Sequence, residues 1–91
     1  MSTPSLSLAD LPAGALASVV DLRADASVAA VTSRLAELGF LPGEPIEVVQ
    51  RGPGGREPLA VRVGETTFAL RLLEARCILV EPHADTSRTA P

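Results

Sequence analysis

Leu59-Ala60-Val61-Arg62-Val63-Gly64-Glu65-Thr66-Thr67-Phe68-Ala69-Leu70 is two alternating runs around a two-residue break. Leu59, Val61 and Val63 recur at a period of two, the mark of a half-buried strand, and Phe68, Leu70 and Leu72 do the same on the far side. Between them stands Gly64-Glu65, and a glycine in the first of two loop positions suits a type II′ turn. That turn pairs Val63 with Thr66, Val61 with Phe68 and Leu59 with Leu70. Every large apolar residue of the hairpin then lies on one face, with Arg62 and Arg71 on the other. A slip of one residue would divide the apolar set between core and water. Turn chemistry and pattern agree, so this hairpin anchors the fold.

Upstream, Pro58 stands where a strand can begin without needing its N–H. Gly52-Pro53-Gly54-Gly55 breaks the chain before it, and Ile46 and Val48 alternate with Glu47 before that. Leu41-Pro42-Gly43-Glu44 has the form of a type II turn, proline second and glycine third. The period ahead of this turn is helical. Val28, Val31, Leu35 and Leu38 make one apolar stripe, Asp25 or Ser27 could cap its start, and Gly39 suits a left-handed helix end. Leu16 to Leu22 reads as a strand, and Ser7-Leu8-Ala9-Asp10 as a capped single turn cut short by Pro12 and Gly14. Downstream, Leu73-Glu74-Ala75 reads as a tight connector. Arg76 to Glu81 is the last strand, with Ile78 and Val80 inward, and Pro82 stops it.

The inventory is about five short strands with one helix inserted after the first. A mainly β chain of this size must cover its edges by curling up, so a small SH3-like barrel is expected. An OB-fold would place its helix later in the chain. One domain is expected over residues 7–82, with a flexible N-terminus at 1–6 and a flexible tail at 83–91.

Composition narrows the function. The 91 residues are 46% hydrophobic with two aromatics, so the core must be aliphatic. The net charge is −3, with eight arginines and no lysine, which speaks against direct contact with nucleic acid or an anionic membrane. The single cysteine, Cys77, sits in the apolar run Cys77-Ile78-Leu79-Val80 and is expected to be a buried thiol. No signal peptide or transmembrane stretch is evident, and the cytoplasm is the expected compartment. Catalytic groups are scarce. His83 is the only histidine, and with Glu81 and Asp85 it makes no closed ligand set, so no metal and no cofactor are expected. The Gly52–Gly55 run lacks the Lys-Ser/Thr of a phosphate loop. No enzymatic activity is expected.

Residues Arg34-Leu35-Ala36-Glu37-Leu38-Gly39-Phe40-Leu41-Pro42-Gly43 resemble the signature of FeoA-type ferrous-iron transport proteins. Glu57-Pro58-Leu59 and Phe68-Ala69-Leu70-Arg71 fall where that family has its next recurring segments, and Ile78 and Val80 match its closing strand. Leu8, Leu11, Pro12 and Gly14 fit its opening. The resemblance spans residues 8–82, with Glu57 standing where the family commonly has Asp. It implies an SH3-like fold and an accessory protein that binds the cytosolic face of FeoB, a ferrous-iron transporter with a GTP-binding domain.

The partner surface is expected at the corner Phe40-Leu41-Pro42, with Arg34 and Glu37 at its rim. Leu35 and Leu38 are used by the core, and only this corner joins apolar bulk to glycine-defined rigidity. These three residues either turn back into the core or form an exposed patch. Two other roles compete. One is a GTPase activator of FeoB supplying an arginine, with Arg51 and Arg56 as candidates. The other is a small iron-linked transcriptional regulator or co-repressor.

Overall fold

The computed structural model describes residues 6–83. The expected flexibility of residues 1–5 and 84–91 therefore lies outside the described residues. In chain order the elements are β1 (Leu6–Ser7), a 3₁₀ turn (Leu8–Asp10), β2 (Leu16–Leu22), a second 3₁₀ turn (Ala26–Val28) and α1 (Ala29–Leu38). There follow β3 (Pro45–Arg51), a third turn (Pro53–Gly55), β4 (Leu59–Val63), β5 (Thr66–Leu70), α2 (Leu72–Arg76) and β6 (Ile78–Pro82). All pairings are antiparallel, in the order β1-β6-β2-β3-β4-β5.

The β4–β5 hairpin has the register its sequence dictates: Val63 with Thr66, Val61 with Phe68, Leu59 with Leu70. Gly64 has φ of +61°, and among the described residues none other than glycine has positive φ, so Glu65 keeps the negative φ that a type II′ turn requires. Leu59, Val61, Val63 and Leu70 are all buried. They join Ala17 and Val19 of β2, Ile46 and Val48 of β3 and Ile78 and Val80 of β6 in one aliphatic cluster, closed by Leu35 and Phe40.

Several expectations need correction. The sheet has six strands rather than five, because Leu6–Ser7 pairs with Val80 and Leu79. Two residues carry no readable period, so β1 leaves no trace in the sequence, and α1 follows the second strand rather than the first. The sheet is open between β1 and β5. Residues 72–76 form a short helix rather than the end of a strand and a connector. Its start is held twice: from within, the Glu74 carboxylate accepts from the Arg71 N–H at 2.7 Å, and from a distance, Glu57 Oε1 accepts from the Leu72 N–H at 2.7 Å. Neither Asp25 nor Ser27 caps α1 with its side chain; the chain enters it through the Ala26–Val28 turn, and Val28 is the N-cap. Only Leu35 of the helix stripe is fully buried, with Val28, Val31 and Leu38 packed at the margin of the core. His83 is tied to the sheet, its N–H donating to the Leu16 carbonyl and its Nε2 lying 2.8 Å from Ser18 Oγ. Among the described residues no helix is long and apolar enough to cross a membrane.

Candidate functional site

The corner between α1 and β3 is built by the backbone. Gly39 adopts φ of +114°, which ends α1 in the left-handed region. Its N–H donates to the Ala36 carbonyl, and the Phe40 N–H donates to the Leu35 carbonyl, both at 3.1 Å. This pair of bonds is the Schellman motif, which brings the second residue past the helix back against its last turn. Phe40 is accordingly fully buried and lies edge-tilted on Phe68, with ring centroids 5.4 Å apart.

The five residues expected at a partner surface therefore divide. Phe40 is core, and the sequence reading that offered it to a partner is corrected by its burial. Leu41 is 46% exposed, and Pro42, Arg34 and Glu37 are exposed beside it in the chain. The exposed part is held on both flanks. The Glu44 N–H closes the turn on the Leu41 carbonyl at 3.0 Å, the Gly43 N–H donates to the Val19 carbonyl at 2.7 Å, and the Val19 N–H donates to the Glu44 carbonyl at 2.9 Å. Gly43, at φ of +92°, supplies the conformation this turn needs.

Val20 belongs to the same surface and was missed. Val19 bonds both Glu44 and Gly43 through its N–H and carbonyl, so Val20, the next residue of β2, stands beside the same turn. Val20 is 52% exposed because strand alternation with the buried Ala17 and Val19 turns it outward, and the bulge between Val19 and Asp21 leaves Asp21 on the outside as well. No composition or period in β2 announces that extra residue.

The arginines flanking the glycine-rich loop have different fates. Arg51 is tied down, its guanidinium donating to the carbonyls of Ala9, Leu11 and Gly55. It joins the loop to the opening turn and is not available as a finger. The Gly52 N–H donates to the Arg56 carbonyl at 2.9 Å, and a Cβ on Gly52 would stand 2.4 Å from the Glu57 carbonyl oxygen. The loop is thus stitched, not loose, and only Arg56 of the two arginines is exposed. Arg62 pairs with Glu47 directly across the strands, an exposed ion pair of small energetic weight.

Other surface features carry less. An open depression of about 510 Å³ is lined by Ser7, Asp10, Arg23, Asp25 and Arg76 among others, with positive and negative groups balanced. The Asp10 carboxylate there is engaged by the N–H and hydroxyl of Ser7. Among the described residues no group of three or more His, Cys, Asp or Glu could hold a metal, and Asp85 lies outside them. Cys77 is buried, and burial pushes its thiol pKa up, with Arg23 opposing and Asp25 and Glu74 reinforcing the shift.

The chain matches the FeoA domain over residues 6–82. No curated protein matches it. Among solved structures, FeoA of Stenotrophomonas maltophilia, complexed with zinc and described as an SH3 domain protein, is 42% identical, over 84% of this chain and 89% of that one, with a TM-score of 0.76. FeoA of Chlorobium tepidum is 32% identical over 87% of this chain and 71% of that one, with a TM-score of 0.74. A manganese-dependent transcriptional repressor, 19% identical over 91% of this chain and 44% of its own, shares the fold with a TM-score of 0.74. A domain match over nearly all the described residues places the chain in the FeoA family.

Proposed function

We propose that this protein is a non-enzymatic accessory of bacterial ferrous-iron uptake that works in the cytoplasm by docking on the cytosolic part of the FeoB transporter. The supporting observation is the fixed corner at Leu41–Pro42. An exposed leucine and proline are held on a turn fixed by backbone hydrogen bonds, with exposed Val20 following Val19 on β2 and exposed Arg34 and Glu37 preceding the turn in the chain. Rigid apolar anchors ringed by charge bind at low entropic cost. The relative from Stenotrophomonas maltophilia is itself described as a candidate activating factor for bacterial ferrous iron transport.

The competing role as a GTPase activator now rests on Arg56 alone, since the Arg51 guanidinium is spent on carbonyls. Calorimetric titration into the purified GTP-binding domain of FeoB tests both. Docking predicts a saturable complex and a GTP hydrolysis rate that Arg56→Ala leaves unchanged. No heat of binding would contradict docking. A large loss of stimulated hydrolysis in Arg56→Ala would favour the arginine-finger mechanism.

A further inference from the structure

β5 is the long free edge of the sheet. Among the described residues only β4 pairs with it, and the opposite edge, β1, is two residues long. Val63 and Thr66 close the two-residue loop as a hydrogen-bonded pair. Alternation along an antiparallel ladder makes Val61–Phe68 and Leu59–Leu70 hydrogen-bonded pairs as well. The N–H and C=O groups of Thr67 and Ala69 therefore point away from β4. Thr66, Thr67 and Ala69 are all exposed. Monomeric proteins guard such an edge with charge, proline or a bulge. Thr66-Thr67-Phe68-Ala69-Leu70 has no charge and no proline, and its register is unbroken.

We propose that β5 is a self-association surface, on which a second copy of this chain pairs antiparallel about a two-fold axis at Phe68. In this register Thr67 faces Ala69 of the other copy, and each such pair exchanges both of its outward hydrogen bonds. A two-fold axis generates the same pairing twice. The same register sets Glu65 opposite Arg71 of the other copy, again twice. Both residues are exposed, and among the described residues neither is in an ion pair. Sliding the strands by two residues in either direction separates these charges, and a slide of one sets outward groups against inward ones. The half-buried Phe68, already on Phe40, gains its symmetry mate as a cross-strand neighbour. Charge complementarity and hydrogen-bond phase thus select one register and one occupant. The surface is separate from the Leu41 corner and does not depend on FeoB docking.

Sedimentation velocity of the full chain over a concentration series tests this. The expected result is a reversible monomer–dimer equilibrium that weakens with added salt. Glu65→Arg sets like charges opposite each other twice and should weaken the dimer about tenfold or more. The charge swap Glu65→Arg with Arg71→Glu should restore it. Thr67→Pro deletes an N–H that β4 does not use, so it should abolish the dimer while circular dichroism stays unchanged. A wild-type chain that stays monomeric up to millimolar concentration would overturn the proposal. So would a dimer indifferent to Glu65→Arg, or one that the charge swap fails to restore.

Discussion

The backbone N–H of Phe40 donates to the carbonyl of Leu35 at 3.1 Å, and the two side chains are buried together in the core. This one relationship decides which residues of the corner are structural and which are free. The chain turns back at Gly39, spends Phe40 on the interior, and delivers Leu41 to the surface one residue later.

Phe40→Ala removes a fully buried ring from a small core and should destabilise the protein by about 3–5 kcal/mol. Urea unfolding followed by far-ultraviolet circular dichroism measures it. A change below about 1 kcal/mol would mean that the ring is not packed as described.

Arg51→Ala should also cost stability, about 1–3 kcal/mol, because three carbonyls lose a charged donor. Arg51→Lys should recover little of this, since an ammonium cannot span the same acceptors as a planar guanidinium. Equal stability of Arg51→Lys and the wild type would show that the fork geometry is unimportant.

Cys77 supplies a pH prediction. Burial raises its thiol pKa, so the folded state holds the proton more tightly than the unfolded chain. The resulting stability is fully present below the unfolded thiol value, about 8.5, and is lost as pH rises through the higher folded value. Cys77→Ala should flatten the fall in stability between neutral and alkaline pH relative to the wild type. Denaturant midpoints measured across that range provide the comparison, and parallel curves would contradict it.

Much of the sheet is legible in the sequence because separate signals coincide. At 59–70 the alternation and the Gly64-Glu65 turn specify the same register, which leaves no freedom to slip. The family is likewise readable from the corner and hairpin segments. What is hidden depends on distant or single-residue events. The start of α2 is held by Glu74 from within the helix and by Glu57, fifteen positions earlier, and the second of these has no local signal. Arg51 finds its carbonyls at Ala9 and Leu11, about forty residues away. The bulge in β2 and another in β3 between Val48 and Gln50 put two outward residues in a row, Val20-Asp21 and Val49-Gln50, where strict alternation would turn the second one inward. Phe40 is a different case. A glycine ending a helix, followed by a large apolar residue, already implies contact with the last helical turn. That rule, applied to Leu35 and Phe40, separates Phe40 from Leu41 without coordinates.

The most direct test is the affinity of Leu41→Ser for the cytosolic part of FeoB, measured by titration beside its thermal unfolding. Leu41 is 46% exposed and supports no core contact of its own, so stability should change by less than about 1 kcal/mol. Loss of a central apolar anchor should weaken binding by about tenfold or more. A folded Leu41→Ser protein that binds as tightly as the wild type would contradict the account and place the docking surface elsewhere.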